Sequence, residues 1–501
     1  MKQFIRSFWG LVLMLVVASA ISGCKKFLDR KPLGTATEGD LSVGGVEGKV
    51  FGLYGALRNN GMTDFPMLWF KTIRSDDAVK GSTTGDLADA GQIMDNFQYT
   101  KDHWLLNAYW DDHFGFINAT NDVLHDIDSL KLTDAGSIIN AAEARFMRAY
   151  AYFDLVRDYG EVPIINFKVY NVNDANKPKS TVAQVYAFID ADLAFAAQNL
   201  PLAWSAQYEG RVTKGAANTL IAKTQLYRQN WSGALAKAEE VISSGQYGLY
   251  PSYQNFFKEE GENSQESIFE VQMYVSPNGT QTIGNSHFQV QGVRGSGDWD
   301  LGWGFNVPSV SLDTSYEVGD PRRTATILYS GQPDGIYGRT VPTAPPLVQP
   351  MWNKKAYPDP ARRNSISDKS QDGHFSKWMN IRLLRYADVL LMAAEAANEL
   401  GGAANTTKAL GYLEAVRARA RGGNNTILPP VTTTNQALLR VAIQKERRAE
   451  FGMEFERFYD LVRWGLAATY LPGYQNKNRF YPIPQPAIDR SGGVLVQNPE
   501  W

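Results

Sequence analysis

The 501-residue chain has a single cysteine, Cys24, and that scarcity excludes a disulfide framework and any cysteine-based zinc site. Neither sign of charge is in excess. Its 50 Lys+Arg stand against 52 Asp+Glu, so the basic footprint of a nucleic-acid binder is missing. Beyond the N-terminal leader no apolar run is long enough to span a bilayer, which takes about 20 residues. Catalytic signatures are missing too. No H-E-x-x-H occurs, and the five histidines (His103, His113, His125, His287, His374) lack ligand spacing. There is neither a G-x-S-x-G elbow nor a Walker-type phosphate loop, and Gly295-Ser296-Gly297 lacks the third glycine of a dinucleotide fingerprint. The reading is therefore no metal, no cofactor and no catalytic residue. Carboxylates are plentiful, however, and a glycosidase pair is defined by geometry rather than by spacing in sequence. A tethered glycoside hydrolase stays open at this level.

Aromatic residues are the one surplus, with 12 Trp, 24 Tyr and 24 Phe. Most must be core, but rings also suit flat, weakly polar ligands such as sugars. The N-terminus reads as an address. Lys2 and Arg6 precede an apolar stretch, Phe8 to Ala20, that is too short for a comfortable span. It ends in Ile21-Ser22-Gly23-Cys24, which resembles a bacterial lipobox with Ile in place of the usual Leu. Residues 1–23 are expected to be a cleaved lipoprotein signal peptide, with Cys24 the acylated first residue of the mature chain. Several acyl chains, at about 0.8 kcal/mol for each buried CH₂, would tether a soluble body durably outside the cytoplasm.

Helical periodicity dominates the body. Trp110, Phe114, Ile117 and Leu124 recur at helix-face spacing, and Asn121 on that face is read as a helix-to-helix hydrogen bond. Ala141 to Tyr159 repeats the pattern, and Thr181 to Gln184 has capping-box spacing ahead of a face that Pro201 closes. Two segments resemble tetratricopeptide helix pairs: Thr213 to Ser243, with Ala222, Trp231 and Ala234, and Ile381 to Arg421, with Gly401-Gly402 between its helices. From about Glu262 to Phe375 the periodicity disappears. Only Ser267 to Val275 alternates like a strand, while Trp299, Trp303, Phe305 and Trp352 argue against disorder. The expected fold is mostly α, a scaffold of tetratricopeptide-like helix pairs with a long irregular region and minor β. Its expected divisions are 24–261 for an N-terminal helical-repeat part, 262–375 for a loop-rich ligand-binding insertion and 376–501 for a C-terminal helical part packed on the first.

The chain is similar to the SusD/RagB family, surface lipoproteins that bind nutrients for Bacteroidetes outer-membrane transporters. The resemblance lies in CKKFLD from Cys24, followed by Pro32, in EARFMRAYAYFDLVRDYGEVPII from Glu143 and in RLLRYADVLLMAAEAANELG from Arg382. It continues in ERRAEFGMEFERFYDLVRWG from Glu446 and in the ending YPIPQPAIDRSGGVLVQNPEW from Tyr481. Within these motifs Arg145, Glu446, Arg447, Arg448, Glu450, Asp460 and Arg463 are expected to pair between packed helices, which specifies an arrangement more surely than it stabilises one. The resemblance implies a location on the extracellular face of the outer membrane, held by lipid through Cys24. It also implies a SusC-like TonB-dependent transporter as partner.

The leading expectation is a non-catalytic receptor for oligosaccharides. Two loops interleave rings with charges, so that a ring can face a sugar's C–H surface while polar groups take its hydroxyls. One is 59–81, with Phe65, Trp69, Arg74, Asp76 and Asp77; the other is 294–305, with Arg294, Asp298, Trp299, Asp300 and Trp303. The competing readings are the surface-tethered hydrolase and a repeat scaffold that binds peptides. The alternative for the tryptophans is a minor core beneath the loops.

Overall fold

Several helices in this chain begin where an oxygen- or nitrogen-bearing side chain takes up a loose amide of the first turn. The computed structural model describes residues 45–366 and 377–501. The apolar leader, Cys24 and His374 lie outside the described residues. Helix α1 (Val46–Ala56) is followed by α2 (Trp104–Ser129), whose Leu105 amide donates to the His103 ring at 3.3 Å. In α3 (Ala135–Tyr159) the Asp134 carboxylate caps the Ser137 amide at 3.0 Å. The expected capping box opens α4 (Val182–Asn199): the Thr181 amide donates to Gln184 at 2.9 Å and the Gln184 amide to the Thr181 hydroxyl at 3.3 Å.

Two short-looped pairs follow, α5 (Lys214–Tyr227) with α6 (Trp231–Ser243), and α7 (Tyr386–Leu400) with α8 (Ala403–Arg421). Ala222, Ala234, Ala393, Ala394 and Ala409 are fully buried, so small side chains let the paired backbones approach. From α2 to α8 each helix lies against the next, and α6 meets α7 although more than a hundred residues separate them. The fold is mostly α, built of tetratricopeptide-like helix pairs. One apolar core runs through all of them, from Val50 and Phe116 to Leu391 and Ile443. Asn121 joins α2 to α3 as expected: Arg148 donates to its oxygen at 2.7 Å, while its amide donates to the Ile165 carbonyl at 2.9 Å.

The closing helices, α9 (Gln436–Phe451) and α10 (Arg457–Arg463), bring the motif charges together. Arg447 reaches Asp388 at 2.7 Å and Asp460 at 2.9 Å; Glu446 takes Arg417 at 2.9 Å and Glu450 takes Arg385 at 2.6 Å. Arg463 pairs with Glu395 and Asp460. Arg145 is the weak member, 3.7 Å from Asp192 and partly exposed.

Short strands tie the irregular chain to this scaffold. They are β1 (Ala78–Gly81), β2 (Ser267–Val271), β3 (Phe305–Pro308), β4 (Ile327–Tyr329), β5 (Met351–Asn353) and β6 (Ile381–Arg385). β1 pairs antiparallel with β3, β2 with β6 and β4 with β5. The expected strand Ser267 to Val275 is broken in two: β2 ends at Val271, with Ile268 to Val271 all buried because both faces are covered, and Tyr274–Val275 pairs separately with Thr282–Ile283. A second core of Val293, Leu301, Trp352 and Tyr357 lies beneath the irregular segment. The β1–β3 pairing, with Gly81 opposite Phe305, sets residues 81–87 beside residues 294–304.

Candidate functional site

The first loop turns inward. Trp69 has no exposed surface and packs 5.4 Å from Phe65 and 5.7 Å from Phe305. Arg74 is buried against Asp158 at 2.7 Å, with its guanidinium 3.6 Å from the centre of the Phe458 ring and 4.2 Å from that of Tyr481. Asp76 is held by Arg457 at 2.7 Å and Asp77 by Arg448 at 2.9 Å. The expectation that these four meet ligand is corrected: their rings and charges are used up by interior partners, and a fully covered indole has no face to offer a sugar. Trp299 is also buried, stacked 5.8 Å from Tyr357 with Arg339 4.4 Å from its centre, so it fills the minor core.

A different subset reaches the surface. Trp303 is 41% exposed and Trp104, the first residue of α2, is 44% exposed. Phe65 lies between them, stacked on Trp104 at 5.9 Å with 16° between planes and 6.3 Å from Trp303. Beside Trp303 opens a recess of ≈ 510 Å³ lined by Asp86, Leu87, Arg294, Asp300 and Phe305. Arg294 forms an ion pair with Asp86 and donates to the Ser82 hydroxyl at 2.7 Å. Hydrogen bonds from the Thr83 and Ser82 side chains, with Arg294 adding to them, hold the Asp86 carboxyl down at about 2. Asp298 and Asp300 are exposed, on a turn whose two carbonyls accept from Arg363 at 3.0 and 3.2 Å.

Glycine sets the height of the Trp303 ring. The Trp303 amide donates to the Gln289 carbonyl at 2.8 Å and the Gly304 amide to that of Gly292 at 3.0 Å. A Cβ on Gly302 would stand 2.0 Å from the Gln289 oxygen, and one on Gly292 2.1 Å from the Leu301 oxygen. The two segments cross backbone on backbone, which no side chain allows. The resulting surface joins two exposed rings, Trp104 and Trp303, to the Arg294–Asp86 pair and Asp300. It can place apolar faces against C–H groups and hydrogen-bonding groups around hydroxyls.

Two family models match this chain. Residues 265–481 match that of the SusD family, and residues 56–226 match a SusD-like model described as starch-binding, associating with outer membrane. The chain belongs to the SusD family. SusD-like protein P2 of Formosa agariphila is 27% identical over 453 residues, covering 83% of this chain and 86% of that protein. Among solved structures, a laminarin binding SusD-like protein aligns with a TM-score of 0.75 at 27% identity, over 91% of this chain and 99% of its own. Surface glycan-binding protein A from Bacteroides thetaiotaomicron, in complex with laminarihexaose, aligns at 0.73 and 26% identity, over 90% and 98% of the two chains.

In this SusD-family chain the sequence reading missed Trp104 and Asp86. Trp104 carried a signal. It opens a helix but stands outside the Trp110–Ile117–Leu124 register, a sevenfold step that would run back to residue 103. A large apolar residue about 100° off the buried stripe is placed to face outward. Asp86 carried none, because its partner Arg294 lies 208 residues away.

Proposed function

We propose that this SusD-family chain is a glycan receptor of the outer-membrane surface, binding oligosaccharide across Trp104 and Trp303, which the buried Phe65 ring supports from beneath, with Asp86, Arg294 and Asp300 taking hydroxyls. The observation that carries the reading is the pair of half-exposed tryptophans flanking one buried ring beside a polar recess. The relatives named for laminarin and laminarihexaose support a glucan of that type as the first ligand to test. In this reading it holds glycan without cleaving it, which the relatives' printed names as binding proteins support.

In this reading Cys24 carries the acyl anchor, the recess faces the extracellular medium, and a SusC-like TonB-dependent transporter receives the ligand. An open aromatic surface binds sugar at about millimolar, about −4 kcal/mol. Tethering beside a transporter supplies a local concentration of the same order, where weak binding suffices and release stays quick. Titration calorimetry of the soluble body with laminarihexaose and maltohexaose tests the receptor. Saturable binding of at least one, with no reducing ends released, is expected; no binding of either overturns the reading. Purification of the tagged full-length protein in mild detergent, from cells that also express a SusC-like transporter, tests the partner: co-purification is expected, and recovery of free monomer alone overturns it.

A further inference from the structure

Lys80, in β1, sends its side chain inward, and its ammonium ends among backbone carbonyls. It donates to Asp86 O at 2.6 Å, to Thr83 O at 2.9 Å and, at the edge of hydrogen-bond reach, to Thr84 O at 3.5 Å. Carbonyl oxygens converging on one point repel one another unless a cation sits between them. An ammonium has three donors to give and needs no fixed plane in which to give them.

The segment thus enclosed is not one the chain adopts freely. Gly81, Ser82 and Leu87 have φ of 73°, 52° and 44°. A left-handed backbone is unfavourable for a residue other than glycine, and it persists only where the surroundings over-determine it. The surroundings do so from two sides. Inside is the Lys80 ammonium. Outside, the Asp86 carboxylate lies 2.9 Å from the Ser82 hydroxyl and holds Arg294, while Gln349 donates to the Ser82 carbonyl at 2.8 Å. The Ser82 hydroxyl is also 2.8 Å from the carbonyl of Trp303. Asp86 and Leu87 form part of the recess wall, so whatever fixes this loop fixes that wall relative to the Trp303 ring.

We propose that Lys80 is a positioning residue for ligand binding, a built-in cation whose hold on the Thr83, Thr84 and Asp86 carbonyls keeps the 81–87 loop shaped as a wall of the recess and Asp86 against Arg294. The ligand half of this inference rests on the receptor reading; the loop half rests on the carbonyl cage alone. Lys80→Met keeps the aliphatic stem and removes the charge, whereas Lys80→Ala empties the cage.

Amide hydrogen exchange without ligand reads the loop directly. In both variants the amides of residues 82–87 are expected to exchange at least tenfold faster, on the order of a tenfold population shift, with those of α2 and α3 unchanged. Removal of the ammonium is expected to leave the loop competent in about one molecule in ten, so exchange at its protected amides should approach that of open chain and laminarihexaose affinity should fall about tenfold. Ethylammonium added at high concentration should restore part of the affinity of Lys80→Ala while leaving wild type and Lys80→Met unmoved. Unchanged exchange in both variants overturns the proposal. So does faster exchange with unchanged affinity, or a loss in Lys80→Ala that ethylammonium does not repair. If the alanine variant fails to fold, the methionine variant decides by exchange and affinity. A wild type that binds no glycan overturns the receptor reading, while the exchange pattern still decides whether Lys80 holds the loop.

Discussion

Arg74 and Asp158 meet at 2.7 Å with neither side chain exposed, one from the chain just before β1 and the other from the last turn of α3. Asp158 also accepts from the Tyr459 hydroxyl at 2.8 Å and the Tyr109 hydroxyl at 3.0 Å. The pair therefore joins four separate segments of the chain: the approach to β1, α2, α3 and α10. Removing Arg74 leaves a buried carboxylate with neutral donors only, a change that costs about 3–5 kcal/mol. Arg74→Ala is expected to lower unfolding free energy by that amount in urea. Below the transition its glycan affinity should match wild type, and a selective loss of affinity in folded protein would contradict the structural role.

Trp69, Trp104 and Trp303 should separate by burial. Burying about 40 Å² of ring against sugar contributes about 1 kcal/mol, roughly fivefold in Kd. Trp104→Ala and Trp303→Ala are expected to lose that much in calorimetry with nearly unchanged unfolding midpoints. Trp69→Ala should lose about 3–5 kcal/mol of stability, since it empties a closed core position. Equal affinities for wild type and both surface variants would remove the aromatic platform from consideration.

Much of the scaffold was legible because its signals are local. The Thr181–Gln184 capping box, the buried alanines of the paired helices and the Asn121 bridge each depend on residues a few turns apart or on one helix face. The site was less legible because its signals are not local. Rings interleaved with Arg and Asp describe Arg74 among Phe458 and Tyr481 as well as they describe Arg294 near Trp303. Only the β1–β3 pairing decides which loop faces out, and its partners lie more than 200 residues apart. Trp299 and Trp303 differ by four positions, yet the first stacks on Tyr357 and the second stands in solvent.

Glu262 gives a pH test with a definite sign. Burial pushes its carboxyl up to about 8, against the opposing pull of Arg382 3.9 Å away. The unfolded chain releases this proton near the ordinary value of about 4.3, so between about 4.3 and 8 the folded chain binds more protons. Stability therefore falls as pH rises through that window, by at most about 1.4 kcal/mol per unit. Glu262→Gln keeps an oxygen for the Asn380 amide, now 2.7 Å from the carboxylate, and has no proton to lose. Urea unfolding at mildly acidic and mildly alkaline pH should show the variant gaining on wild type as pH rises. A constant difference between the two would mean that Glu262 titrates normally.

Gly302 offers a way to displace Trp303 without touching its ring. A methyl group there would stand 2.0 Å from the Gln289 carbonyl oxygen, which already accepts from the Trp303 amide at 2.8 Å. Backbone cannot rotate aside as a side chain can, so the crossing must open. Overpacking of this kind costs about 1–3 kcal/mol, and the opening carries Trp303 away from Phe65 and the recess. Gly302→Ala is expected to weaken laminarihexaose binding by about fivefold or more, comparable to losing the ring at roughly 1 kcal/mol. Gly115, inside α2, is the control, because a methyl group added there would meet no atom within 4 Å. Gly115→Ala should add about 0.5–1 kcal/mol of stability, as alanine does within a helix, and leave affinity unchanged. Wild-type affinity in Gly302→Ala would mean that the ligand does not depend on where this crossing holds the Trp303 ring.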